Sequence, residues 1–180
     1  QPLLIDALQF SWENLSRLNV QWKLVGNLPY NVASPLIWDI VNKTVNWQAA
    51  VFMVQKEVGM RLASPAGNKE YGALSVWVQS FAKVERLFIV SPGAFEPRPK
   101  VDSAVMRLVP SPDRLLCCPQ SLSRLLKICF QQRRKQLKNI LKEYWSDELE
   151  FFLKIQGLTQ EARPETLTPK QFQMLAAILF

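Results

Sequence analysis

Six consecutive apolar residues, Ala49-Ala50-Val51-Phe52-Met53-Val54, limit the folds open to this chain. Such a run suits a strand buried on both faces, which is how strands of a parallel sheet lie. A parallel pair needs a crossover, usually a helix. The preceding sequence supplies one. Lys23-Leu24-Val25-Gly26 reads as a strand, and Val32 to Val41 as a helix with Leu36, Ile37, Ile40 and Val41 on one side. Pro35 fits in its first turn. Between the two lies Asn27-Leu28-Pro29-Tyr30, so the order is strand, tight turn, helix.

That turn carries the chemistry. Pro29 fixes φ and has no N–H, so the turn presents carbonyls rather than donors. Asn27 adds a side-chain carbonyl and Tyr30 an aromatic face. An acceptor pair beside a ring suits a flat group bearing an amine, such as adenine. The exocyclic amine of adenine is a poor nucleophile because its lone pair is delocalised into the ring. Two acceptors aimed at its hydrogens favour the pyramidal form, in which the lone pair is free. No titrating base is required, and the chain contains no histidine. This is catalysis by positioning and electrostatics. The tetrapeptide also occurs in ordinary turns, so by itself it does not decide the matter.

Charge narrows the partners. The formal net charge is +7 over 180 residues, which favours an anionic partner, nucleic acid or a membrane surface. The excess is concentrated. From Arg124 to Lys142 there are seven Lys or Arg and no acid, whereas residues 143–180 hold six acids and three bases. Leu122 to Tyr144 reads as one long helix. Leu122, Leu126, Cys129, Phe130, Leu137, Ile140 and Leu141 form its apolar line. Lys127, Gln131, Arg134, Lys138 and Lys142 fall on another face, with Lys135 beside them. A basic stripe of this kind suits phosphate contact; a solvated face and a helix on anionic lipid are the alternatives. Arg133 falls on the apolar line and is expected to have a structural partner. Cys117, Cys118 and Cys129 give neither a disulfide framework nor metal-ligand spacing, and reduced thiols in the cytoplasm are expected. No metal is expected, and no apolar run is long enough to span a bilayer.

The other elements follow from pattern. Leu3 to Asp6 reads as a strand and Trp12 to Asn19 as a short helix or loop. Gln55 to Ala63 reads as a helix with a Glu57–Arg61 pair, worth about 0.3–0.5 kcal/mol. A loop at 64–68 precedes a helix from Tyr71 to Phe81 and a strand from Val84 to Ser91. Pro92 to Lys100 is a stiff, proline-rich loop, and Val101 to Val109 a strand. The last two strands are expected to pair antiparallel at the sheet edge. Pro110-Ser111-Pro112-Asp113 reads as a domain boundary, giving domains 1–111 and 112–180. Helices at Asp147 to Gln156, stopped by Gly157, and at Pro169 to Phe180, capped by Thr168, complete the chain. Nucleotide-cofactor folds begin with a strand and a glycine turn. None accompanies Gln1-Pro2-Leu3, so the chain is expected to be the C-terminal part of a longer protein.

The ordered blocks "VGNLPYNVASPLIW", "VQKEVGMRL", "YGALSV", "PGAFEPRPKVDSAVMRL" and "CFQQRRKQLKNIL" resemble the KsgA family of ribosomal RNA adenine dimethyltransferases. "DALQF" and "RPETLTPKQFQML" resemble it too, so the likeness runs from Asp6 to Phe180. It implies an α/β fold, a partial class I (Rossmann-like) methyltransferase sheet followed by a small all-α C-terminal domain. It implies S-adenosylmethionine as methyl donor and adenines of small-subunit ribosomal RNA as target. The small ribosomal subunit would be the partner and the cytoplasm the location. By this resemblance Asn27, Leu28, Pro29 and Tyr30 form the catalytic turn and Phe95 stacks on the flipped base. Asp6, the Ala7 amide and Asn27 help seat the cofactor. Arg98 and Lys100 either hold RNA phosphates or are solvated surface charges, and Lys127, Arg134, Lys135, Lys138 and Lys142 belong to an RNA-contacting domain. Because the glycine turn is lacking, this chain alone is expected to be inactive and to bind S-adenosylmethionine weakly.

Three other readings share these features. A large-subunit methylase of the antibiotic-resistance type has the same turn. An assembly or transcription factor could keep the fold and bind RNA without catalysis. Methylation of a protein or DNA amine uses similar turns, but a match through the C-terminal blocks would not then be expected.

Overall fold

The computed structural model describes residues 3–18, 20–113 and 115–180. Asn19, the expected end of the first short helix, lies outside them, as do Gln1 and Pro2. The chain forms two compact units, Gln1–Ala63 with Phe81–Pro112, and Ser64–Ser80 with Asp113–Phe180. The excursion 64–80 thus groups with the helices, which the expected boundary at 111/112 did not anticipate.

The first unit is built on one four-stranded sheet. Its strands are β1 (Trp22–Asn27), β2 (Trp47–Gln55), β3 (Ala82–Val90) and β4 (Ser103–Pro110), in spatial order β1-β2-β4-β3. β1 and β2 are parallel, joined through helix α1 (Ala33–Lys43). β4 runs antiparallel to both β2 and β3, leaving β3 at the edge as expected. Ala50, Phe52 and Val54 of β2 pair with Leu108, Met106 and Ala104 of β4, and all six are buried. Helix α2 (Lys56–Ala63) covers this face. Its Gly59 sits so close that an added Cβ would lie 2.8 Å from the Ala104 Cβ and 2.9 Å from the Met106 sulfur. The opposite face differs from expectation. Ala49, Val51 and Met53 are only half-buried, and Val25 on β1 is 83% exposed. The apolar run therefore forms the expected strand, but one of its faces is open.

The expected strand at Leu3 to Asp6 does not form. Leu3, Leu4, Ile5 and Asp6 are exposed and lie outside any sheet. Apolar side chains give strand propensity, but a strand needs a neighbour for its backbone groups; among the described residues none pairs with this segment. A 3-10 helix at Trp12–Leu18 follows. The Glu57–Arg61 ion pair forms as expected.

The second unit is helical and holds α3 (Ala73–Phe81) up to Ser80, α4 (Pro119–Gln131), α5 (Leu137–Ile140), α6 (Asp147–Ile155) and α7 (Pro169–Leu179). Tyr71 anchors the excursion, its buried hydroxyl donating to the Leu167 carbonyl at 2.7 Å. Burial pushes its phenol pKa well up. Gly157 follows α6 with φ +66°, the left-handed conformation glycine adopts freely. Thr168 caps α7 in a reciprocal capping box with Gln171.

The single helix expected from Leu122 to Tyr144 is instead broken at 132–136. Arg133 is drawn aside, donating from Nε to Glu165 at 2.7 Å and from Nη2 to the Lys69 carbonyl at 2.6 Å. The Leu137 and Lys138 amides donate to the Ala162 and Gln160 carbonyls instead of to a preceding turn. These bonds outweigh the helix propensity of a segment with no glycine or proline. Among the described residues, no helix is long and apolar enough to cross a membrane.

Two measurements test this packing. Gly59→Ala should destabilise the protein by about 1–3 kcal/mol through overpacking, read as a lower denaturant midpoint with unchanged slope. The thiols should alkylate in a fixed order. Cys118 is exposed, and hydrogen bonds from the Ser121 hydroxyl and amide lower its pKa. Burial raises Cys117, next to Cys118, to about 11 and Cys129 to about 12. Mass spectrometry after brief alkylation should find Cys118 modified first and Cys129 last.

Candidate active site

The turn after β1 is held by backbone bonds at both ends. The Leu28 amide donates to the Met53 carbonyl at 3.0 Å, carrying the parallel ladder one residue beyond β1. The Val32 amide then donates to the Pro29 carbonyl at 3.1 Å, closing the turn, and the Leu36 amide donates to Val32 to begin α1. Leu28 is the anchor. Its side chain is buried and lies 3.0 Å from where a Cβ on Gly26 would be. Asn27 and Pro29 stay exposed and Tyr30 half-exposed. With the Pro29 carbonyl already accepting within the turn, the Leu28 carbonyl is the better placed of the two to accept from a ligand.

Asn27, Leu28, Pro29 and Tyr30 line a cavity of about 310 Å³ together with Phe95, Pro97 and Pro99. The volume lies at the lower end of the range for small-ligand sites, about 300–1,000 Å³. Five site residues expected from the sequence thus meet in one place. The sequence treated the prolines of this loop as stiffeners; Pro97 and Pro99 also form part of the wall. Phe95 follows a 3-10 turn at Pro92–Ala94 and is half-buried. The loop returns to the sheet through a clamp, in which Lys56 donates from its backbone amide to the Asp102 carbonyl at 2.9 Å and from Nζ to the Asp102 carboxylate at 2.8 Å. Next comes Ser103, which sequence reasoning missed. Its Oγ lies 2.7 Å from the Tyr30 hydroxyl. A serine opening a strand carries no distinguishing signal; only the fold brings it to Tyr30.

The remaining candidates lie elsewhere. Asp6 and Ala7 are not among the cavity's lining residues. Asp6 forms a turn: its Oδ1 accepts from the Leu8 amide at 2.9 Å, and its carbonyl from the Gln9 amide. Arg98 and Lys100 are exposed on the Phe95 loop. Lys127, Arg134, Lys135, Lys138 and Lys142 are exposed, but the helix break places them on separate pieces rather than along one face. Lys127 lies on α4, Arg134 and Lys135 on the turn, Lys138 on α5 and Lys142 in a 3-10 turn. Lys138 donates to the Gln160 side chain at 2.7 Å and lies 5.9 Å from the Trp145 ring centre. Arg133 has the structural partner expected of it.

Comparison with known proteins follows the same outline. Ribosomal RNA small subunit methyltransferase A of Oleidesulfovibrio alaskensis is 54% identical over 99% of this chain. The namesake from Pseudomonas fluorescens is 43% identical over 95%. The chain spans 64% and 62% of those relatives' lengths. Among solved structures, a dimethyladenosine transferase from Plasmodium falciparum matches with a TM-score of 0.71 at 26% identity, over 85% of this chain and 64% of that one. The 23S rRNA methyltransferase ErmE, at 22% identity and a TM-score of 0.67, covers 89% and 66% and shares the fold. The sheet with its antiparallel end and following helices is thus that of these Rossmann-like methyltransferases. The family model for ribosomal RNA adenine dimethylase matches residues 3–179, leaving only Gln1, Pro2 and Phe180 outside, and the chain belongs to that family.

Proposed function

We propose that this chain forms the base-binding part of an S-adenosylmethionine-dependent enzyme that dimethylates adenine amines in small-subunit ribosomal RNA, in the cytoplasm during subunit maturation. The observation that carries this reading is the cavity in which Asn27, Leu28, Pro29 and Tyr30 meet Phe95. An unstacked adenine has two faces and one amine edge to satisfy. Tyr30 and Phe95 supply aromatic surface for the faces. Stacking of a base on an aromatic side chain is worth about 1–3 kcal/mol, comparable to the few kcal/mol of unstacking. The Asn27 Oδ1 and the Leu28 carbonyl accept from the two amine hydrogens. As positive charge develops on the nitrogen, both dipoles already point at it and need no reorganisation. The amine proton passes to solvent after transfer.

S-adenosylmethionine, when bound, supplies an electrophilic methyl group. The donor set at Asp6 fits its adenine end. Oδ1 is fixed by the Leu8 amide, which orients the carboxylate so that Oδ2 can accept from an amine while the Ala7 amide meets the ring. Asn27 serves both ligands from the end of β1. RNA backbone would be held by Arg98 and Lys100 on the base-binding loop, and by Lys127, Arg134, Lys135, Lys138 and Lys142 on the helical unit. The broken helix favours contact at several points over the tracking of one groove, which suits RNA recognised by shape.

Asn27→Ala should lower kcat for methylation of unmethylated small subunits by at least about 100-fold and leave RNA affinity within about two-fold. Labelled methyl incorporation and filter binding, done with the polypeptide as the cell makes it, measure the two. Methylation that survives the substitution would overturn the reading. Replacing Lys127, Arg134 and Lys135 together with Ala should flatten the dependence of log affinity on log salt by about 0.7 per cation lost.

A further inference from the structure

We infer that Ser103 is a positioning residue that sets the plane of the Tyr30 ring; the inference rests on the base-binding reading of the cavity. Tyr30 stands in a turn, two residues before the α1 N-cap Val32, and its side chain is partly exposed. Backbone alone does not orient such a ring, because rotation about the Cβ–ring bond is soft. The structure adds a second attachment at the far end, the 2.7 Å contact between the Tyr30 hydroxyl and Ser103 Oγ. The phenolic oxygen is conjugated with the ring, so its O–H and its accepting lone pair lie near the ring plane. A partner at a fixed point therefore selects the orientation that keeps that partner near the plane.

Ser103 is such a fixed point. It is 0% exposed. It opens β4, an interior strand, and stands opposite Gln55 of β2 and Val90 of β3 at once. The preceding residue is clamped by Lys56 through both backbone and side chain. The hydroxyl thus projects from a rigid three-strand junction. The loop carrying Phe95 returns to the sheet at this same junction, so the two aromatic walls are referred to one anchor. The contact also engages the Tyr30 hydroxyl, which leaves the ring to act through its face rather than as a proton carrier.

The test is a double-mutant cycle on base binding. The probe is a short single-stranded oligouridine with one 2-aminopurine, whose fluorescence falls when it stacks on an aromatic ring. Dissociation constants come from titration with the intact chain and with Ser103→Ala, Tyr30→Phe and the double variant, each checked for cooperative unfolding. Each single change should weaken binding about three- to ten-fold, the worth of one hydrogen bond, and reduce the quenching at saturation. The double variant should be no weaker than either single one, because both remove the same contact. Wild-type binding by Ser103→Ala, or losses that multiply, would overturn the inference while leaving the base-binding reading intact. Should Ser103→Ala not fold, Tyr30→Phe decides: weakened binding supports the inference and unchanged binding overturns it. Absence of quenching by the unaltered chain would remove the base-binding reading, and this inference with it.

Discussion

One backbone hydrogen bond, Leu28 N–H to the Met53 carbonyl, governs the geometry of the site. It extends the parallel pairing of β1 and β2 past the end of β1, so the turn begins as part of the sheet rather than as a free loop. Leu28 can then bury its side chain over Gly26 while lining the cavity. Asn27 before it and Pro29 after it are exposed because Leu28 is not. A polar chain end at the carboxyl edge of a parallel strand is where ligands of open α/β sheets bind. Here the sheet itself sets where the Asn27 side chain and the Leu28 carbonyl stand, which on the proposed reading leaves little further side-chain machinery to supply.

The antiparallel half of the sheet supplies the opposing wall. β4 lies between β2 and β3, so the loop before it must end at the middle of the sheet. That brings Phe95, Pro97 and Pro99 over the turn. The reversal in strand direction therefore builds the pocket: a further parallel strand would start from the opposite edge of the sheet, and the loop before it would lie far from Asn27.

Much of this was legible in the sequence, and the exceptions share a cause. The strands read at Lys23–Gly26 and Ala49–Val54 and the turn before α1 are set by local pattern and turn chemistry; both strands form, each longer than its apolar run, as Trp22–Asn27 and Trp47–Gln55. Leu3 to Asp6 has the composition of a strand, yet pairing is a property of neighbours, and nothing described pairs with it. The break after Gln131 has no local signature; it exists because Arg133 finds Glu165 and the Lys69 carbonyl, one 32 and the other 64 residues away. The 64–80 excursion likewise joins the helices through Tyr71, whose partner Leu167 is 96 residues on. Among the cavity's lining residues, Asn27, Tyr30 and Phe95 stand out in the sequence by residue type and resemblance. Ser103 was not, since its partner lies 73 residues away and its own neighbours describe an ordinary strand.

The placement of Ser103 gives the two walls of the pocket unequal local stability. Tyr30 is tied to an interior strand whose amides are paired on both sides, the kind of segment that exchanges its hydrogens only when the whole unit opens. Phe95 belongs to a loop spanning 91–102 that is fastened chiefly at its ends and can detach in a smaller, cheaper fluctuation. On warming, the pocket therefore loses its lid before its floor: the wall carrying Phe95 is lost while the sheet is still native, and the floor stands ready-made whenever the loop settles again.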